Sequence, residues 1–527
     1  MTRGVIAAGD PQTVAAGVEM LRRGGNAVDA AVAAAFASVV TEAVLINIGG
    51  SGLALIVDSS SNQRVVYDFL STMPSGKPRG NMDFHQVWVD FGQEKQPFYI
   101  GRASVAVPGF VAGLCTLLEE RGTLPLAEVL QPAIRFAREG VVLSESLAYV
   151  LDILLPIFTY TPELAALFTR NGEPYRAGDR LRFPQLARTL ERLAEEGPSL
   201  FYTGEVAQAI VADQEAHGGL LTAQDLAGYR VERREPVEIS YRGETLLVPP
   251  PPSSGGVLVA FALELLAAFP VGTLPHNHTE HIRLLAETMR HTTLARADWD
   301  RDARPLHERI RWFLSEEHVA TYREKLRSAL TRPPVLSTPL ESGHPHTTHI
   351  SVADEHGLIV SMTTTSGENA GFLVGDTGVS LNNMLGEQDL HPLGFHRLPP
   401  GMRLPSMMTP TVILEEGKPR LATGSGGSTR IRSTILQVLS NVLDFHFPLE
   451  DAVNAPRVHF EADVLQLEGG IAPEVVRELE TLGYRVNPWP ERHMYFGGAH
   501  TIARTARGFE GAGDRRRGGS VGLVEDA

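Results

Sequence analysis

The stretch HPHTTHISVADEHGLIVSMTTT, residues 344–365, decides how the chain is read. Two runs rich in β-branched residues, beginning at Thr347 and at Leu358, flank the turn sequence Asp354-Glu355-His356-Gly357. A hairpin centred near residue 356 pairs positions whose numbers sum to about 712. Thr347 then lies opposite Thr365, to within one residue, so a hydroxyl at the start of one strand faces a second at the end of its neighbour. Taken alone, Thr363-Thr364-Thr365 also reads as plain β propensity.

Outward from the hairpin, residues 331–346 (TRPPVLSTPLESGHPH) are irregular and proline-rich, as a linker or exposed cleavage segment would be. Beyond it come the short strand-like runs VSL and PTVILEE, then helical patterns at Ile431 to Leu443 and Pro473 to Leu482. At the other end, Val14, Val18 and Leu21 mark a helix that Gly24-Gly25 stops. Asn26 caps the next, with Asp29 as the acidic partner of a capping box. NIGGSGLALIV reads as a turn entering a strand. Without a lysine or a downstream acidic fingerprint, its glycines suit close backbone packing better than a phosphate cradle. Residues 103 to 330 are mostly helical in pattern, for example Leu186 to Leu193, and Pro249 to Gly256 reads as an extended or turning loop. Strands and helices in alternating blocks predict a mixed αβ class, with layered sheets covered by helices.

Composition narrows the function classes. With 47 basic and 62 acidic residues the net charge is −15, which disfavours nucleic acid, and only Asp514 to Arg517 is locally basic. The longest apolar stretch, Ala30 to Val40, is too short to cross a bilayer. The N-terminus MTRGVIAAGDPQT lacks a signal-peptide core, so a cytoplasmic location and no membrane partner are expected. The single cysteine, Cys115, lies in an apolar run and reads as a small buried hydrophobe. His276, His278 and His281, and likewise His344, His346 and His349, have metal-like spacing but no accompanying cysteine or HExxH pattern; neither a metal nor another cofactor is expected. Glu415-Glu416 reads as a solvated hairpin rather than a glycosidase pair.

The junction at Thr347 resembles the cleavage site of the gamma-glutamyltranspeptidase family of N-terminal nucleophile (Ntn) hydrolases. The likeness extends, in the family's order, through GGNAVDAAVA near Asn26, VPGFVAGL near Gly109, PPPSSGG near Ser254, LNNM near Asn383 and MTPT near Thr411. It continues through GSGG near Gly426, NAPRVH near Pro456 and GAGDRR in the tail. The resemblance implies an α+β fold, a four-layer αββα sandwich formed jointly by a large, mostly helical fragment, 1–346, and a small catalytic fragment, 347–527. It implies that the Thr347 hydroxyl attacks the His346 carbonyl and that water then separates the two fragments. These stay together as a heterodimer, or as a dimer of heterodimers. The freed α-amine of Thr347, with a reference pKa of about 7.7–8.0, then serves as its own general base. Thr365 matches the family's second threonine, which orients the nucleophile. The oxyanion donors fall on the amides of Gly426-Gly427 or of Gly427-Ser428. The resemblance implies γ-glutamyl amides of glutathione type as substrates, with water, an amino acid or a peptide as acceptor.

The acyl pocket departs from the family. Leu70 stands where an arginine is usual, Pro405-Ser406 replaces a serine pair, and Met384 follows the paired asparagines. The usual asparagine falls on Gly367, with Asn369 reachable through a gap, and the usual aspartate is best matched by Glu387. Ser406 and Glu387 are therefore the substrate-binding candidates. Losing an arginine–carboxylate contact costs about 1.5–3 kcal/mol unless another cation, such as Arg102 or Arg403, replaces it. The segment from Asn383 to Leu404 is shorter than in lid-bearing relatives, and an open mouth favours hydrolysis over transpeptidation. One alternative is an amidase of the same fold acting on glutaryl-type or small dicarboxylic monoamides; another is a non-catalytic binding protein. A denaturing gel tests the junction: the 57.2 kDa chain should resolve into pieces of roughly 38 and 20 kDa, and Thr347→Ala should stay whole.

Overall fold

The computed structural model describes residues 1–77, 81–90, 95–334, 346–391 and 393–525. Most of the anticipated linker, residues 335–345, lies outside the described residues, as does His344. The architecture is mixed α/β. One sheet has seven antiparallel strands in the spatial order β4 (Glu232–Arg234), β3 (Gln63–Phe69), β2 (Ser51–Asp58), β8 (Leu358–Gly367), β7 (His346–Asp354), β1 (Gly4–Ala8) and β13 (Ser520–Val524). A second, six-stranded sheet runs β5 (Val237–Tyr241), β6 (Glu244–Val248), β9 (Thr411–Glu415), β10 (Lys418–Thr423), β11 (Thr501–Thr505) and β12 (Gly508–Ala512). Each sheet takes strands from both sides of Thr347. The β7–β8 hairpin sits between β2 and β1, near the centre of the first sheet.

The period-2 pattern decides what each face touches. Ile350, Val352, Val360 and Met362 join Ile6, Ala54 and Ile56 in a core with helices α1 (Pro11–Arg22), α2 (Ala27–Thr41) and α3 (Phe110–Arg121). On the opposite face Ala353 and Ile359 join Val5, Leu53 and Leu55 in a second core. That core holds Val412, Ile413 and Leu421 of the second sheet and helices α4 (Ser254–Leu266) and α5 (Arg430–Leu443). Helix α2 is the apolar stretch noted above. All its residues are buried, which suits a helix surrounded by protein. Asn26 and Asp29 close the anticipated capping box at its start.

The glycines after Asn47 do pack closely. A Cβ on Gly50 would come within 2.5 Å of the Thr365 carbonyl oxygen, and one on Gly52 within 2.6 Å of that of Thr363. Cys115 is buried as expected, and desolvation pushes its thiol up to about 12.

One expectation needs correction. The loop from Pro249 ends at Ser253, and Ser254 to Gly256 already form the first turn of α4. Glycine is needed there for close approach: a Cβ on Gly255 would lie 2.3 Å from the Met407 carbonyl oxygen and one on Gly256 2.2 Å from that of Pro249. The locally basic tail is largely buried. The Arg516 side chain is fully buried, pairing with Glu468 and Asp514, while Arg457 reaches Asp514 at 2.7 Å. Arg515 is largely exposed and pairs with Glu450. Removing a buried partner strands the remaining charges, so Arg516→Ala should destabilise the protein by about 3–5 kcal/mol in denaturant titration. Arg515→Ala should shift it by no more than about 1 kcal/mol.

Candidate active site

The hairpin follows its expected register from Thr348–Thr364 and His349–Thr363 to Ala353–Ile359, and then slips by one at its open end, where His346 pairs with Gly367. Thr347 is thus opposed by two residues, Thr365 and Ser366. Such a bulge bends its strand and re-aims side chains, as is common beside active sites. Thr347 and Thr365 are both buried and both line one cleft, of about 440 Å³ including its open mouth. The Thr365 hydroxyl accepts from the Gly367 amide at 3.1 Å.

Between the sheets, the polar side chains of β7 and β8 find partners. His349 contacts the hydroxyls of Thr363 (2.8 Å) and Ser351 (2.9 Å), and Ser351 donates to the His500 carbonyl. Desolvation, and next His500, hold the His349 imidazole well below its ordinary pKa, so it is neutral. It supports the strand of Thr347 through these contacts.

The main chain of Thr347 is gripped closely. Its carbonyl oxygen accepts from Arg517 Nη1 at 3.1 Å, and a Cβ on Gly426 would come within 2.0 Å of that oxygen. Burial lowers the Arg517 pKa to about 10. After Gly426 the chain turns through Gly427 (φ +117°) and Ser428 (φ +50°) into α5, a 14-residue helix. Ser428 lines the cleft and donates to Asp389 Oδ2 at 2.9 Å. Helix N-termini and forward-pointing amides stabilise negative charge, so this loop can hold a developing oxyanion.

On the helix side, Glu42 follows the end of α2. It accepts from Thr348 Oγ1 at 2.6 Å and from Thr13 Oγ1 at 2.8 Å. Desolvation raises its pKa to about 7, outweighing the hydrogen bond from Thr348.

The remaining candidates separate. Leu70, Met384, Pro405 and Ser406 line the cleft. Ser406 Oγ accepts from the Met408 amide, and its carbonyl accepts from Ser253 Oγ. Glu387 is buried behind Gly367, where desolvation and Glu368 push its carboxyl well above the usual range; Asp389, two residues on, lines the cleft instead. Asn369 is used internally, accepting from the Gly371 amide and Ser380 Oγ. Neither proposed replacement cation lines the cleft: Arg102 pairs with Asp83 and Asp213, and Arg403 donates to Tyr229 Oη and to the carbonyls of Leu70, Asp68 and Arg230. Sequence reading did not single out Asp389, Glu42 or Arg517; only the GAGDRR tail motif pointed near the last.

The chain is similar to known proteins over most of its length. The family model described as Gamma-glutamyltranspeptidase matches residues 13–524. The acylase ACY 1 proenzyme of Pseudomonas sp. (strain V22) is 35% identical over 509 residues, covering 95% of this chain and 90% of the relative. The glutathione hydrolase proenzyme of Escherichia coli (strain K12) is 32% identical over 512 residues, covering 92% and 86%. Among solved structures, cephalosporin acylase from Bacillus halodurans superposes with a TM-score of 0.84 at 26% identity, covering all of this chain and 96% of that one.

The shifted carboxyl at Glu42 makes a signed prediction. A pKa raised from 4.5 to about 7 means that the folded state favours the protonated acid. That contribution is fully present below pH 4.5 and is lost as pH rises through 7. Glu42→Gln, which mimics the neutral acid, should gain stability relative to wild type from pH 4.5 to 8, by up to about 3 kcal/mol. Paired denaturant titrations measure it; a constant difference between the two proteins across that range contradicts the assignment.

Proposed function

Because the chain belongs to the gamma-glutamyltranspeptidase family, we propose that it is a self-processing threonine hydrolase or acyltransferase with Thr347 as nucleophile. The helix and sheet layers correspond, on this reading, to the four-layer αββα Ntn sandwich, with fragments 1–346 and 347–527 held together as a heterodimer by their shared sheets. The observation that carries the proposal is the bulge that sets Thr347 opposite Thr365 and Ser366, beside the Gly426–Ser428 loop and the start of α5.

In the uncut chain the Thr347 hydroxyl attacks the His346 carbonyl carbon, the peptide C–N bond breaks, and water hydrolyses the resulting ester. In the mature enzyme the freed amine takes the hydroxyl proton as Oγ attacks the substrate's amide carbon. Negative charge on the carbonyl oxygen meets the amides of the glycine loop. The lining of the cleft by Ser428 favours the Gly427-Ser428 assignment. The C–N bond breaks as the Thr347 ammonium returns its proton to the departing nitrogen. Water, deprotonated by the same amine, then cleaves the acyl ester, releasing a carboxylic acid and restoring Thr347. Thr365 orients the hydroxyl, and Arg517 with Gly426 fixes the carbonyl of the same residue.

Both acylases and glutathione hydrolases are among the relatives. The described lining of the cleft contains no guanidinium to clamp a carboxylate, which weighs against a γ-glutamyl and a glutaryl acyl group alike. The γ-glutamyl reading rests on the E. coli relative. Water is the preferred acceptor on either reading. Acid-quenched mixtures of cleaved enzyme with a slowly hydrolysed acyl donor should show, by intact mass, one acyl adduct on the small fragment, mapping to Thr347. Thr365→Ala should lower kcat by about 10²–10⁴ if it orients the attacking hydroxyl. An adduct on another residue, or turnover by Thr347→Ala, defeats the proposal.

A further inference from the structure

The cleft beside Thr347 has two unlike kinds of wall. Leu70, Met384, Leu390, Leu404, Met407 and Ile431 make it mostly apolar. Set into it are three polar atoms that have no hydrogen-bond partner among the described residues: Ser51 Oγ, Ser71 Oγ and Asp389 Oδ1. Ser51 and Ser71 are 0% and 1% exposed. A buried polar atom left unpaired is costly. Three of them around one cavity form a polar patch that a bound molecule can satisfy.

The ionisable side chains that line this cleft or lie behind Gly367 are carboxyl groups, and the Arg296 charge that Asp389 also feels comes from outside the lining. Asp389 stands in the cleft, Glu387 is buried behind Gly367, and the buried Glu368 acts on Glu387. Among the described lining residues there is no Arg, Lys or His. The nearby guanidiniums are committed elsewhere: that of Arg403 to the backbone behind Leu70 and that of Arg517 to the Thr347 carbonyl. A carboxylate brought in here would lose water and meet carboxyl groups instead of a counter-ion, which is strongly unfavourable. A neutral amide or hydroxyl would find a donor and acceptor at each serine and an acceptor, or when protonated a donor, at Asp389.

Resting on Thr347 as nucleophile, we propose that the acyl group accepted by this cleft carries no carboxylate. It is a short uncharged chain with an apolar body and a neutral hydrogen-bonding group that pairs with Ser51, Ser71 and Asp389. This separates the enzyme from both a γ-glutamyl and a glutaryl hydrolase: Leu70 and Met384 select for the apolar body, and the acidic patch rejects an anionic end.

Three p-nitroanilides test the proposal on the self-cleaved protein. The glutaramoyl and glutaryl compounds share one skeleton and differ in a terminal amide against a carboxylate; the γ-L-glutamyl compound adds an α-ammonium. Expected is a kcat/KM for glutaramoyl at least 10-fold above both glutaryl and γ-L-glutamyl, the two compounds that carry a carboxylate. Leu70→Arg should shift the glutaryl-to-glutaramoyl ratio at least 10-fold toward the acid. Because an arginine at that buried position can fail to fold, Ser71→Ala gives a second reading. It should lower the ratio of glutaramoyl to pentanoyl anilide, which lacks the terminal group, at least 5-fold. Equal or faster cleavage of the glutaryl or γ-L-glutamyl compound overturns the proposal and leaves the Thr347 mechanism standing. An unchanged ratio in Ser71→Ala overturns the role of the polar patch. Self-cleaved protein that hydrolyses none of the anilides and forms no acyl adduct overturns the mechanism and the proposal together.

Discussion

The register of the β7–β8 hairpin depends on the carboxylate of Asp354. Its Oδ1 accepts from the amides of His356 and Leu358 within the turn, and its Oδ2 accepts from the amide of Ala27 at the start of α2. A slip of one residue would turn Ile350 and Val352 toward the second sheet and His349 and Ser351 toward the helices. Desolvation raises the Asp354 pKa, and the three amide donors oppose that rise. The opposite end of α2 leads into Glu42, which accepts from Thr348. One helix therefore holds β7 at both ends. The lengths agree: fifteen helical steps from Ala27 to Glu42 span about 22 Å, and six strand steps from Thr348 to Asp354 span about 20 Å.

That clamp stops one residue short of Thr347, and there the ladder bulges. Thr347 is held instead through its carbonyl, by Arg517 and by the surface left free at Gly426. Gripping the main chain on both sides of a strand end suits the proposed chemistry, which needs the α-amine and the hydroxyl of one residue free to exchange a proton. The buried tail network serves the same end. Asp514 accepts from the amide of Arg516 and pairs with Arg457, and the turn so fixed presents Arg517 to Thr347.

Much of this was legible in the sequence. The hairpin register follows from strand periodicity and a turn tetrapeptide, and the α2 cap from Asn26 and Asp29, all local signals. The bulge was not legible, because one unpaired residue leaves no trace in a period-2 pattern. The burial of the tail arginines was not legible either, because Glu468 and Arg457, which take part in it, lie about fifty residues away in the chain. Asp389 and Glu387 differ by only two positions, so no pattern decides which faces the cleft. Arg403 was a reasonable substitute clamp, but its guanidinium is bound to the carbonyl of Leu70, the residue that stands where the usual arginine would be.

These two kinds of legibility reflect a division of labour in the site. The proposed catalytic groups are mostly backbone: the Thr347 amine and carbonyl, the amides of a glycine loop, a helix N-terminus. Such groups depend on the course of the chain, and that course is what a family match over residues 13–524 reports. The acyl pocket is built from side chains at Leu70, Met384, Leu404 and Asp389, which can change without moving the backbone that holds Thr347. Replacing an arginine by leucine at residue 70 removes a carboxylate clamp but leaves the bulge, the glycine loop and α5 in place. A fold of this design can keep its reaction while its acyl group changes. The proposed specificity must therefore be argued from the wall of the cleft, and the proposed reaction from its floor.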